Sequence, residues 1–509
     1  MIRAILSVGG WTLVSRVTGF GRDVVMAAVM GAGPMADAFV VAFRLPNHFR
    51  AIFGEGAFNT AFVPAYAGLS EAGADGAAQR FADRIFTLML AVQIALLALA
   101  LPLMPWVVRA LAPGFSQDPQ RFDLAVALTR ITFPYLLFMT LVTLLSGVLN
   151  AQRRFAVAAG APVLLNLAML AAFALAFLFP DAAHAAAWGV AVSGVLQFAL
   201  LWWACRRAGV APRLTAPAVR DPAMRRFFTV LGPAVIGAAG FQIATFADTI
   251  IASWLPTGAV SALWYADRLY QLPFGVIAIA AGTVLLPEMS RRIAAGDVAG
   301  AHAAQNRAAG FSLALSAPFT VAFLTLPGLT MAALFQRGAF SAEDAARAAS
   351  VLAAYGLALP AVVLVRSAVA SFYSRQDTRT PLWASLTAIA VNVVLKLWLT
   401  GPYGVAGLAL ATAISQWVNL ALLVALAWRR GWTAPGRTLG LTVLGVALAC
   451  AGLALVAVYG LPLAESVVPA LPRGREIAVL ALLGIVGAAI YGGLLAGLLH
   501  LFGLRLRRA

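Results

Sequence analysis

The sequence predicts an all-α polytopic membrane protein with fourteen transmembrane helices. Three observations carry that prediction. Of the 509 residues, 62% are hydrophobic and 11% charged, against about a quarter charged in an ordinary soluble domain. Mean hydropathy is +0.90. Apolar runs of roughly 20 residues, the length that a hydrocarbon core of about 30 Å demands of a helix, recur from one end of the chain to the other.

The runs fall near 4–30, 36–66, 84–108, 125–149, 158–179, 185–205, 228–254, 261–289, 308–334, 348–373, 380–400, 404–428, 438–460 and 477–502. The first starts behind Met-Ile-Arg and is interrupted by Arg16, Arg22 and Asp23. No A-x-A site follows it, so it reads as a retained helix and not a signal peptide. The second is the most polar and ends near Pro64. The third to sixth are plain apolar runs separated by short loops. The longest loop, about 206–227, leads into the seventh and eighth runs. The last two runs, 438–460 and 477–502, are almost wholly apolar.

An even helix number places both termini on one side, and the arginines decide which side. With the termini and every second loop assigned to the cytoplasm, those segments hold twenty-two basic residues and the opposite loops six, Arg121 among them; eight lie within predicted helices. A multi-pass membrane protein with both termini cytoplasmic is the expectation. No loop is long enough for a soluble domain.

Several function classes drop out. Cys205 and Cys450 are too few for a disulfide framework, and four scattered histidines suggest no zinc site. The net charge of +17 is spread over short loops, so nucleic acid is not an expected partner. No G-x-x-x-x-G-K-[ST] loop is present for ATP. Nor is there a D-x-D cluster or an evident catalytic base or nucleophile, so the chain does not read as an enzyme.

The first and seventh runs are each followed by a short uncharged loop, GAGPM at 31–35 and PTGAV at 256–260. The next runs carry Arg44-Leu45 and Arg268-Leu269 and end near Pro64 and Pro287. The offset of about 224 residues suggests a parallel repeat of two six-helix lobes around a central cationic cavity, one known transporter architecture. The expected division is 1–210 for the first lobe, 211–430 for the second and 431–509 for a terminal helix pair.

Charges at membrane depth are costly, about 2.5–3.5 kcal/mol each on insertion scales, so they face a cavity or each other. On one continuous helix Asp37, Arg44, His48, Glu55 and Asn59 form a stripe, with Arg50 off it unless Pro46 kinks the helix. Ser15, Arg16, Gly19, Arg22 and Asp23 share a face of the first helix. With Arg268 and Asp267, cations exceed anions and are all arginine, whose planar fork suits phosphate oxygens. An anionic ligand would complete the pairing. Lys396 and Arg130 read as snorkelling residues near helix ends, and Arg366 is left open. Asp248 suits either a cation or an arginine partner.

The stretches SRVTGFGRD (15–23), ADAFVVAFRLPNHFRAIFGEGAFNTAFVP (36–64), WYADRL (264–269) and FYSRQDTRTP (372–381) resemble those of the MurJ/MviN lipid II flippases. These belong to the multidrug/oligosaccharidyl-lipid/polysaccharide exporter superfamily. The resemblance spans the chain and implies a substrate, undecaprenyl-pyrophosphate bearing a disaccharide-pentapeptide, moved from the cytoplasmic to the periplasmic leaflet in peptidoglycan synthesis. It implies Arg16, Arg22, Arg50 and Arg268 as substrate-binding residues, with Asp37 and Glu55 at motif positions. It also implies a lipid-tail groove at 438–502, a driver in membrane potential or a coupled cation (H⁺ or Na⁺), and no other cofactor. Asp248 and Asp377 are the candidates for the cation, and cell-wall synthesis proteins are possible partners. The nearest rival is an exporter of another lipid-linked oligosaccharide. A cationic-drug antiporter would need an acidic cavity, which the arginine excess opposes.

Overall fold

The computed structural model describes residues 2–52, 58–71, 76–216, 221–468 and 474–503; within helices, the side chains at 2–7, 51–52, 236–241, 243, 278–281 and 283 are not described. Glu55 therefore lies outside the described residues. The described chain is helical throughout: α1 (Ile2–Met30), α2 (Pro34–Ile52), α3 (Phe58–Glu71), α4 (Ala77–Ala100), α5 (Met104–Leu111), α6 (Pro119–Thr132), α7 (Tyr135–Ala151), α8 (Phe155–Ala174), α9 (Ala182–Arg207), α10 (Pro222–Ser253), α11 (Ala259–Ala294), α12 (Val298–Thr325), α13 (Pro327–Phe335), α14 (Ala342–Tyr373), α15 (Arg379–Arg429), α16 (Arg437–Val467) and α17 (Arg475–Leu501). Among the described residues, nine helical segments are long and apolar enough to cross a membrane.

Several expected single runs are pairs of helices. The second run divides into α2 and α3, the third into α4 and α5, the fourth into α6 and α7, and the ninth into α12 and α13. Prolines mark three of these starts, at or beside the first residue of α5, α6 and α13, where a missing N–H costs nothing. α15 does the opposite and joins two expected runs. It turns at Gly404, whose φ of 55° and ψ of −135° suit only glycine. Gly407 then meets the Leu399 carbonyl so closely that a Cβ would sit 2.3 Å from its oxygen.

Contacts group the chain into two units, Met1–Ser261 and Ala262–Ala509. The division falls about fifty residues later than expected because α10 packs on α2 and α3. Its contacts include Arg44 to the Thr249 hydroxyl at 2.7 Å, and the Gly114 N–H to the Ser253 hydroxyl at 3.0 Å. In the second unit α16 packs on α12 and α17 on α13, and Tyr491 donates to the Ala314 carbonyl. The terminal pair is therefore joined to the second unit.

The helix ends repeat. Arg153 and Gln376, which follow α7 and α14, are the two non-glycine residues with positive φ among the described residues, at 58° and 62°. Their N–H groups bond to the carbonyls of Asn150 and Tyr373, and those of Arg154 and Asp377 to Leu149 and Phe372. The same pair of bonds closes α9 at Gly209 and Val210, and α15 at Gly431 and Trp432. These are matching left-handed caps, spaced 223 and 222 residues apart. They agree with the spacing of the Arg-Leu pairs.

Candidate functional site

The polar face of α1 meets α8. Arg22 and Asp23 are 6% and 2% exposed and pair at 2.7 Å. Arg22 also donates to Asn166 Oδ1 at 3.1 Å. The Asn166 amide donates in turn to the Ser15 carbonyl and the Thr18 hydroxyl. Gly19 faces the same amide, and a Cβ there would stand at ordinary contact distance from it. The face expected to line a water-filled cavity is thus largely a helix–helix seam. Arg16 is half-buried.

The expected stripe on the second run is corrected in the same way. α2 continues through Pro46 to Ile52, and Asn59 lies on α3, so one helical wheel does not cover them. Asp37 is fully buried. It pairs with Arg121 at 2.9 Å and accepts from the Gly258 N–H and from the N–H and hydroxyl of Ser261. A carboxylate at the start of α11 answers otherwise unbonded N–H groups and the positive end of the helix dipole. Arg121, expected in an outer loop, is 5% exposed and also stacks on Phe115. Arg44 donates to Thr245 and Thr249 on α10. His48 Nδ1 lies 2.8 Å from Gln242 Oε1, with its ring against Phe246. These three positions bind helices together.

Arg50 is different. It donates to Asn47 Oδ1 and lines a cavity of about 410 Å³ bounded by Asn59, Thr143, Ser146, Asn150 and Gln197, with Val8, Phe155 and Pro162 on its apolar side. Tyr135 ties this cavity to the α1 seam. It hydrogen-bonds Gln197 and lies within electrostatic reach of both Arg50 and Arg22. Asn166, Gln197 and Tyr135 escaped the sequence reading. Their only signal is a single amide or phenol inside an apolar run.

In the second unit Arg268 is half-buried, with its guanidinium 4.0 Å from the Trp264 ring centroid. Asp267, one residue before it, accepts from Gln271. Asp248, on α10 in the first unit, is half-buried and has interactions of its own. Asp377 lies between α14 and α15, bonded to the N–H and hydroxyl of Thr380 and to Arg430 at 2.6 Å. Those Thr380 bonds, with Arg430 behind them, hold its carboxyl down at about 2. Lys396, expected to snorkel, is instead fully buried on α15, where it is engaged. Arg130 is exposed and reaches the Leu101 carbonyl. No group of three or more His, Cys, Asp or Glu able to hold a metal occurs among the described residues.

A protein-family model described as "Lipid II flippase MurJ" matches residues 26–470. The chain belongs to the MurJ lipid II flippase family. It is 43% identical to a probable lipid II flippase MurJ of Rhizobium meliloti (strain 1021), over 85% of this chain and 82% of that one. It is 41% identical to one of Rhizobium tropici, over 87% and 85%. A solved lipid II flippase MurJ in an inward closed conformation superposes with a TM-score of 0.79 at 22% identity, covering 96% of this chain and 98% of that one; at that identity it shows the fold. Arg50 and Arg268 lie within the stretch matched to the MurJ family, and Arg16 and Arg22 just before it. The chain is a multi-pass bacterial membrane protein.

Proposed function

We propose that this chain is a lipid II flippase, moving undecaprenyl-pyrophosphate-linked peptidoglycan precursor from the cytoplasmic to the periplasmic leaflet. The family match over residues 26–470 carries the reading. The arginines support it, because a pyrophosphate diester with a sugar-peptide head cannot cross hydrocarbon unaided, whereas its tail never has to leave it. Arg16, Arg50 and Arg268 offer forks matched to phosphate oxygens, whereas Arg22 is engaged by Asp23 and Asn166. No bond is broken, so binding and release alone are asked of the protein.

Fourteen crossings with both termini cytoplasmic form part of the same proposal, as do two six-helix lobes and a terminal pair serving as a lipid-tail groove. The matching caps after α7 and α14, and after α9 and α15, support the two lobes. Alternating access of the lobes would carry the head across. For coupling to H⁺ or Na⁺, the candidates are Asp248, half-buried on α10, and Asp377, which is bonded to Thr380 and Arg430.

The test is replacement in a bacterium depleted of its own lipid II flippase, scoring externally accessible lipid II at matched membrane levels. Wild type should restore it, and Arg16→Ala, Arg22→Ala, Arg50→Ala and Arg268→Ala should not. A well-inserted wild type that leaves external lipid II absent would overturn the reading in favour of another lipid-linked oligosaccharide.

A further inference from the structure

The two units repeat one plan, and one face of that plan is covered in the second unit and bare in the first. At the offset of 222–223 residues set by the helix caps, α4 corresponds to α12 and α5 to α13. The linkers match as well. Gln79 on α4 donates to the Ala211 carbonyl at 3.0 Å, and Asn306 on α12 donates to the Ala434 carbonyl at 2.9 Å. Ala211 and Ala434 are themselves 223 residues apart, so the chain crosses the foot of each helix in the same way.

Beyond that crossing the copies diverge. In the second unit the chain continues into α16, which lies along α12, while α17 returns past α13. Ala317 packs with Val446 and Ala449, and Leu326 and Leu329 with Ala457 and Leu461. Tyr491 donates to the Ala314 carbonyl, and a Cβ on Gly310 would stand 3.1 Å from Thr442. In the first unit the chain leads instead to α10, which packs chiefly on α3 and α2. The positions equivalent to Ala317, Leu326 and Leu329 are Ile94, Leu103 and Trp106. These three are 52%, 44% and 65% exposed, against 4% for Ala317 and 7% for Leu326.

The bare face is suited to a helix. Between helices in hydrocarbon there is no hydrophobic drive, so association rests on close packing, which small residues permit. α12 meets the terminal pair through Gly310, Ala314 and Ala317, and α4 exposes Ala91, Ala95 and Ala98. The face is also continuous with an existing interface. The Thr215 N–H bonds the Thr87 hydroxyl, one turn before Ala91, just as the α16 interface continues from the linker contact at Asn306.

We propose that the exposed face of α4 and α5 is a docking surface for one membrane-spanning helix of a partner protein, seated as α16 is seated on α12. α16 runs parallel to α12, since Thr442, Val446 and Ala457 follow Gly310, Ala317 and Leu326 in the same order. The partner's span therefore has its N-terminus at the linker end of α4, and its contact face carries small residues, as α16 carries Ala449 and Ala457. The repeat alone carries this, whatever molecule the chain transports.

The full-length chain would be expressed from its own locus in the bacterium that encodes it, with p-benzoylphenylalanine substituted at Ile94, at Trp106 or, as a control, at Tyr459 of α16, which is 70% exposed. Intact cells would be irradiated and the linked residues mapped by peptide mass spectrometry. Ile94 and Trp106 should link to one membrane span. The residue reached from Trp106 should lie about fifteen residues C-terminal to that reached from Ile94, the interval from Val446 to Leu461 on α16. Tyr459 should link only lipid. Ala91→Trp overpacks the seat and should lower both adducts about tenfold, with the thermal midpoint of the purified chain unchanged. Phospholipid adducts alone at Ile94 and Trp106 would overturn the proposal in favour of a lipid-facing surface, and adducts to a second copy of this chain would overturn it in favour of self-association. A span linked in the opposite order, or adducts indifferent to Ala91→Trp, would equally sink it.

Discussion

Two regions of the first unit bury polar groups in opposite ways. In the seams, each charge has an answer: Arg22 with Asp23 and Asn166, and Asp37 with Arg121, Gly258 and Ser261. In the cavity, Arg50 bonds Asn47 and borders open space with hydroxyl and amide groups of Thr143, Ser146 and Asn150. Both regions draw on α2, whose Asp37 and Arg50 are thirteen residues apart. A charge paired inside a seam rigidifies and specifies packing, whereas one that borders a cavity is spared part of that constraint. Ionisable residues in one membrane helix thus divide into those fixed in a helix seam and those that border a cavity.

Breaking a seam should therefore cost folding first. The largest effect is expected for Asp37→Ala, which strands the buried Arg121 cation and the first N–H groups of α11. A loss of about 3–5 kcal/mol is expected, read as poor membrane accumulation and a sharply lower thermal midpoint in detergent. An unchanged midpoint would mean the pair is not the clamp its geometry indicates. Asn166→Leu should follow at about 2–3 kcal/mol, because it frees three partners at once. Arg50→Ala belongs to the other class. Its midpoint should move by less than about 1 kcal/mol while external lipid II is lost. Arg50→Lys should fail almost as badly, since an ammonium keeps the charge and loses the fork.

Much of this was legible before the structure, and the limits have physical causes. Hydropathy and charge alternation place helices well because hydrocarbon tolerates little else. Helix breaks at Pro105, Pro119 and Pro327 were not separated from their runs, since a proline ends a helix or sits in its first turn with the same sequence signature. Arginine excess marked helices that do carry buried charge. It could not assign Arg22 to a seam and Arg50 to a cavity, because the deciding groups, Asn166 and Gln197, come from α8 and α9, more than a hundred residues away. Lys396 and Arg121 were misplaced for a related reason: depth in a bundle depends on neighbours that a single helix does not reveal.

The repeated helix ends give a finer version of the same contrast. After α7, Arg153 and Arg154 are exposed; after α14, Asp377 is tied to Thr380 and Arg430, and both Arg375 and Arg430 lie over Trp432. The backbone is the same and the cross-links differ, so acid should loosen only the second junction. The Asp377 carboxyl is held at about 2 against an ordinary 3.8, so the stability it contributes is fully present above about pH 4 and is lost as pH falls towards 2. The gap in thermal midpoint between wild type and Asp377→Asn should accordingly close over that interval, and a gap that persists at pH 2 would assign the effect to something other than ionisation.

The smallest effect tests the backbone that the two junctions share. Arg153 and Gln376 hold left-handed φ values that glycine adopts without cost and other residues do not. At the matching ends of α9 and α15 that residue is Gly209 or Gly431. Arg153→Gly and Gln376→Gly should each raise the midpoint, by the equivalent of about 0.5–1 kcal/mol after glycine's larger entropy loss is deducted. Equal gains would mean that the strain is purely conformational. A gain at Arg153 with a loss at Gln376 would show that the Gln376 side chain supports the Asp377–Arg430–Trp432 cluster, which the first junction lacks.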